Sequence, residues 1–166
     1  MTNRDGAAAC AEEIGRLLGG RTVAVAESVT AGRVAEALAT VTSASSFFRG
    51  GVVAYQEQVK RSILGVTAQG MVSSPAAVEM VTGVVKLLDA DAGVSTTGVA
   101  GDDPVDGKPS GTVFIATFVD AESRVDEYRF PGEPLEVCEA ARDSALAALL
   151  GHLRSTTVPI GSERVE

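Results

Sequence analysis

The stretch T-V-A-V-A-E-S-V-T-A-G, Thr22 to Gly32, decides how this chain folds. Thr22 to Ala26 form a short apolar run of strand character. Beyond it, apolar residues return at helical spacing from about Ala31 to Ala39, with Val34, Ala35 and Leu38 on one face. A buried strand that runs straight into a helix opens an α/β arrangement, in which helices cover a sheet. Between the two elements stand Glu27, Ser28 and Thr30, polar side chains at the end of an apolar strand. Ser and Thr commonly cap a helix by accepting its free N–H groups. The alternative is a nucleophile aimed out of the strand-to-helix turn.

Working outward, Ala7 to Leu18 repeats apolar residues at helical spacing, and Gly19-Gly20 stops it. Gly51 to Tyr55 is strand-like, and Val59 to Leu64 begins a short helix that Gly65 ends. Ser73-Ser74-Pro75 followed by Glu79 marks the start of a helix that continues to about Leu88. Ala92 to Thr96 is a strand, and a Gly/Asp/Pro loop spans Gly98 to Ser110. Thr112 to Val119 and Val125 to Phe130 pair as a hairpin around Asp120 to Ser123, and a last helix runs from about Pro134 to Leu153. Strands alternating with helices, followed by a hairpin, predict a single α/β domain over residues 1–154: a mixed β-sheet with helices packed on both faces. Residues 155–166 are expected as a loose tail.

The chain of 166 residues is 45% hydrophobic and 22% charged, the balance of a soluble globular protein. Its net charge of -8, with no long Lys/Arg cluster, argues against direct binding to nucleic acid. No apolar segment is long enough to span a membrane, and the N-terminus lacks the order of a signal peptide, so the expected location is cytoplasmic. Cys10 and Cys138 sit among helix formers and read as buried helical thiols. Two cysteines and one histidine argue against a zinc site, and no metal or cofactor is expected.

The single histidine, His152, lies near the end of the last helix and reads as a helix-terminal surface residue. No G-x-S-x-G elbow is present either, so a Ser-His-Asp triad is a poor fit for Ser28. Lysine is the remaining candidate base, because a desolvated amine can be neutral near neutral pH. Of the three lysines, Lys86 lies late in a helix and Lys108 in the polar loop. Lys60 follows Tyr55 by five residues across a strand-to-helix junction, where the two can converge on one side. A solvated helical lysine is the competing reading. The loop Gly98 to Ser110 is not a phosphate loop, since five residues separate Gly101 from Gly107 and Pro109 replaces the required Ser/Thr. Nor is it a calcium loop, with Pro104 and Val113 at ligand positions. It is a long, glycine-rich connection at the edge where open α/β sheets bind ligands.

These segments together resemble the CinA C-terminal domain family, whose active members are nicotinamide-nucleotide amidases. The family pattern A-E-S-C-T-G-G is matched by Ala26 to Gly32, and F-R-G-G-V-V-x-Y with a following lysine by Phe48 to Tyr55 and Lys60. T-G-x-A-G and K-P-x-G-T-V are matched by Thr97 to Gly101 and Lys108 to Val113. The resemblance runs from about residue 8 to residue 153. It implies hydrolysis of the carboxamide of nicotinamide mononucleotide to nicotinic acid mononucleotide and ammonia. It also implies a nucleophilic Ser28, a base Lys60, and assisting roles for Tyr55 and Thr97. Glu27, Thr30, Ala31, Gly32, Gly50, Gly51, Gly98, Ala100, Gly101 and Arg142 are then expected to bind substrate, with the N–H groups of Thr30 to Gly32 holding the oxyanion or the phosphate. A small-molecule nucleotide as partner, no membrane or nucleic acid, and a homo-oligomeric state complete the expectation.

The chain also departs from the pattern. Val29 and Ala31 replace Cys and Gly beside the nucleophile, and Asp102-Asp103 stands where many members have Pro-Gly. G-E-P-L-E-V-C, Gly132 to Cys138, replaces a common G-D-R-x-x-V-R and so lacks two arginines. The large N-terminal domain of two-domain relatives is missing, which suggests a stand-alone version. Two alternatives therefore stay open: a catalytically silent nucleotide-binding or interaction protein, and an amidase acting on a different small amide.

Overall fold

The structure, a computed structural model, describes residues 3–156. Its elements follow in the order α1 (Asn3–Leu18), β1 (Val23–Glu27), α2 (Arg33–Ala39), α3 (Ala44–Phe47), β2 (Phe48–Val53), α4 (Glu57–Leu64), α5 (Ser74–Leu88), β3 (Ala92–Gly98), β4 (Thr112–Val119), β5 (Glu122–Arg129) and α6 (Pro134–Thr156). The sheet order is β2-β1-β3-β4-β5. Within it β1 is parallel to β2 and β3, Val25 facing Gly51 and Val94, while β4 and β5 run antiparallel, Ser95 facing Ala116 and Ala116 facing Val125. This is the mixed sheet the sequence predicts.

The apolar run of β1 has a physical cause. All five of its residues are buried, because a central parallel strand is covered on both faces. Val23 and Val25 join the core built by α1, α2 and α6, whereas Ala24 and Ala26 join the core under α4 and α5. The small residues on the second face let α5 approach closely. At Gly93 on β3 an added Cβ would lie 2.6 Å from Val85, and at Gly83 on α5 one would lie 2.1 Å from the carbonyl oxygen of Leu64. That second contact seats α4 directly on α5.

Four readings from the sequence change. The helix Ala44–Phe47 was not expected; its Phe47 ring fills the space over Gly15, where a Cβ would sit 2.6 Å away. The hairpin turn is tighter than Asp120 to Ser123: Asp120 and Ala121 both take positive φ (51° and 65°), a two-residue turn whose twist matches the strands, so β5 begins at Glu122. His152 is not a surface residue. The inner face of α6 buries it against β4, where its Nδ1 lies 2.8 Å from the Thr117 hydroxyl. Finally, α6 continues through Ser155 and Thr156, two residues of the expected tail; residues 157–166 lie outside the described part.

Candidate active site

From the carboxyl end of β1 the chain turns toward β2, whereas from the carboxyl end of β3 it turns toward β4. Connections leaving neighbouring strands in opposite directions open a crevice between them, the place where α/β sheets bind ligands. A cleft of about 710 Å³ lies there. Ser28, directly after β1, and Gly98 to Asp103, at and beyond the end of β3, form two of its sides. Lys60 and Tyr55 border it too, as do Met71 and Val72.

Ser28 is held by its backbone, not its side chain. Its N–H donates to the Thr96 carbonyl at 3.0 Å, continuing the β1–β3 ladder by one residue. The chain then reverses through Ala31 and Gly32, both with positive φ (48° and 95°). Neither Ser28 nor Thr30 caps α2. Glu27 does so from before the turn: its buried carboxylate accepts the N–H groups of Gly32 (3.0 Å), Val34 (3.1 Å) and Ala35 (2.7 Å) and the hydroxyl of Thr30. A carboxylate at a helix N-terminus is also favoured by the helix dipole. With the cap supplied by Glu27, the Ser28 hydroxyl is left without a hydrogen-bond partner among the described residues, on the cleft wall.

Lys60 arrives from the other side on α4. Its stem and amine are almost enclosed, with 4% of the residue exposed, and it makes no ion pair among the described residues. Burial disfavours the ammonium form and pushes the amine below the ordinary lysine range, against the opposing pull of Asp106 first and Glu57 second. Tyr55, at the mouth, is 69% exposed. The site thus brings together an uncommitted hydroxyl and a desolvated, uncommitted amine on one cavity.

The far wall is Met71-Val72. Thr97 donates its hydroxyl proton to the Met71 carbonyl at 2.7 Å, and the carboxylate of Asp106 accepts the N–H groups of Met71 (2.6 Å) and Val72 (3.0 Å). On α6, Cys138 is half-buried and borders the cleft, its thiol donating to the Val29 carbonyl at 3.0 Å; burial raises its pKa. Cys10 is half-buried as well, and both thiols are free.

The family described as CinA C-terminal domain matches residues 7–153. The chain belongs to that family. A putative competence-damage inducible protein of Desulforamulus reducens is 41% identical over 140 residues, covering 80% of this chain and 34% of its own. A CinA-like protein of Frankia casuarinae is 43% identical over 130 residues, covering 75% and 30%. The chain therefore spans about a third of the length of these curated relatives. Among solved structures, the competence damage-inducible protein A of Klebsiella pneumoniae superposes with a TM-score of 0.86 at 30% identity, over 91% of this chain and 99% of that one. The competence/damage inducible protein CihA of Agrobacterium tumefaciens gives 0.79 at 30% identity, over 87% and 95%.

Set against the CinA motifs, the predicted site residues divide. Ser28, Lys60, Tyr55, Ala31, Gly98, Ala100 and Gly101 all border the cleft. Thr97 does not: it stands behind the wall and holds Met71. Glu27 and Thr30 are buried in the turn and bonded to each other, with Thr96 joining at 2.7 Å, so neither side chain is offered to a substrate. The N–H groups of Ala31 and Gly32 are spent on Ser28 and Glu27. Among the described residues, the unspent N–H groups of this turn are those of Val29 and Thr30. Gly50 and Gly51 belong to the β1–β2 pairing; a Cβ on Gly51 would sit 2.3 Å from Val25. Arg142 is buried on α6, its Nε bonded to Asp143 at 2.8 Å, and faces a separate cavity beyond Ala31, Gly32 and Arg33. Met71, Val72 and Asp106 were not singled out as site residues; Asp106 carried a local signal, the Asp-Gly pair Asp106-Gly107, and Cys138 stood out only as the residue that replaces a motif arginine.

Proposed function

We propose that this chain is a Ser/Lys amidohydrolase of the CinA family, hydrolysing the carboxamide of nicotinamide mononucleotide to nicotinic acid mononucleotide and ammonia. One observation carries the reading: Ser28 and Lys60, 32 positions apart in sequence, border one cleft with neither side chain committed elsewhere. Lys60, kept low by burial, takes the hydroxyl proton as Ser28 Oγ attacks the amide carbon. The negative charge on the amide oxygen is met by the unspent N–H of Val29, the residue after Ser28 on the cleft wall. Lys60 returns the proton to the leaving nitrogen, and ammonia departs with the C–N bond. A water that loses its proton to Lys60 then cleaves the Ser28 ester, releasing the acid and restoring the hydroxyl. Tyr55 at the mouth relays protons between Lys60 and the leaving group.

Ammonia release from nicotinamide mononucleotide by purified protein tests the reading. Turnover that disappears in Ser28→Ala and Lys60→Met supports it. Release no faster than the Ser28→Ala background removes it.

A second reading, an amidase for a small amide without phosphate, draws on the charge of the cleft. Glu57, Asp102, Asp103 and Asp106 border it against two cationic side chains, Arg33 and Lys60; Arg142 lies outside it, and Cys138 rather than a cation faces it from α6. Faster release from the unphosphorylated pyridinium nucleoside than from its phosphate ester favours that reading.

A further inference from the structure

The long loop after β3 is not irregular throughout. Val105 and Lys108 exchange both backbone hydrogen bonds (3.0 and 2.8 Å), and Asp106 and Gly107 between them take positive φ (52° and 71°). This is a two-residue hairpin turn, for which Asp-Gly is a favoured pair. It presents the Asp106 carboxylate to a different part of the chain, the segment before α5, where one oxygen accepts two successive backbone protons.

We propose that Asp106 is a positioning residue of this site, pinning the Met71–Val72 wall from the hairpin tip and setting a fixed negative charge against Lys60. Met71 is gripped on both sides, its N–H by Asp106 and its carbonyl by Thr97, so the peptide that walls the cleft has little freedom to turn. Of the charges acting on Lys60, Asp106 pulls hardest toward the ammonium form, ahead of Glu57 on its own helix. Asp102, Asp103, Arg33, Tyr55 and Cys138 also border the cleft. On α5, packed against α4, the carboxylate of Glu79 is taken up by the N–H groups of Thr67 and Ala68. Asp106 thus limits how far burial depresses Lys60. The catalytic meaning of this rests on the Ser28/Lys60 reading; the pin and the charge do not.

The chain has only three lysines, so NMR of lysine-labelled protein resolves each titration, with Lys60 assigned by its loss in Lys60→Met. Asp106→Asn keeps the shape and an oxygen acceptor but removes the charge. It is expected to move the Lys60 midpoint down by about half a pH unit, the scale of one partly exposed charge, with Lys86 unmoved. The acid limb of any ammonia release moves down with it. An unchanged Lys60 midpoint overturns the charge role. Amide hydrogen exchange reads the pin: Met71 and Val72 are expected to exchange roughly tenfold faster in Asp106→Ala, the scale of one lost hydrogen bond, and less so in Asp106→Asn. Equal rates in wild type and Asp106→Ala overturn it. Neither measurement needs turnover. A wild type that releases no ammonia therefore ends the amidase reading and leaves this one to its own tests.

Discussion

The carboxylate of Glu27, the last residue of β1, reaches across the Ser28 turn and accepts the N–H of Ala35 at 2.7 Å, in the first turn of α2. With Gly32, Val34 and Thr30 also donating to it, this single side chain fixes the geometry of the turn that carries Ser28. Glu27→Ala strips the acceptor from four buried or half-buried donors. Each unpaired buried donor costs about 1–3 kcal/mol, reduced where water enters, so a loss of roughly 3 kcal/mol is expected. Glu27→Gln does little better, since its amide N–H₂ faces donors. Urea unfolding measures both. A Glu27→Ala protein within about 0.5 kcal/mol of wild type would contradict the capping role.

Ala31 sits at φ 48°, where the family pattern carries glycine. A side chain in the left-handed region costs about 1 kcal/mol or more, because Cβ crowds the following carbonyl. Ala31→Gly relieves that strain at the expense of extra freedom in the unfolded chain, and a net gain of about 0.5 kcal/mol is expected. Ala31→Val, β-branched, moves the other way by a larger amount. Thermal melts of the two variants should fall on opposite sides of wild type.

What the sequence made legible, and what it hid, divides along physical lines. The strand β1 was readable because burial on both faces leaves an uninterrupted apolar run, and α1 because one face alone meets the core. The four residues of α3 are too few to show any period. The start of β5 was obscured because Glu122, Ser123 and Arg124 lie on an exposed edge strand, and charge there guards the edge without marking it. Ser28 and Lys60, which border one cleft, were singled out by elimination of histidine and by resemblance. The role of Glu27 was hidden, because an acceptor's partners depend on a turn folding its donors back. Arg142 and His152 were misplaced for a shared reason: both are polar side chains that sit on the one buried stripe of α6, beside Ala141, Ala145, Leu146, Leu149 and Leu153, where their chemistry points to the surface and their helical phase does not.

His152 leads to a prediction about acid stability. Burial pushes its pKa below the ordinary value of 6.5, with Arg124 assisting, so the folded protein prefers the neutral ring. The unfolded chain binds the proton at higher pH than the folded one does. The stability this residue supports is therefore whole above about 6.5 and is lost as pH falls through the folded value. Replacing it by leucine removes the titration, though the Thr117 hydroxyl then loses its partner at a cost of about 1 kcal/mol. Stability measured against pH should accordingly fall less steeply below pH 6.5 in His152→Leu than in wild type. Parallel curves would show that another group carries the acid sensitivity.

Lys60 should act on stability in the same sense but in a higher window. Its folded pKa lies below the ordinary 10.5, so between the two values the unfolded chain holds the extra proton. Stability then rises as pH climbs through that window, and the full penalty of burying the ammonium falls below the folded pKa. Lys60→Met keeps an unbranched apolar stem without the charge, and should be the more stable protein at the acid end, where the buried ammonium carries its full penalty. The difference should shrink as pH approaches 10.5. On the proposed Ser28/Lys60 mechanism the same variant is expected to release no ammonia, because the group whose burial costs stability is the one proposed to take the Ser28 proton. Denaturation of both proteins across the alkaline range decides the matter: a constant gap would mean that Lys60 titrates alike in the folded and unfolded chains, and a base poised by burial would be lost with it.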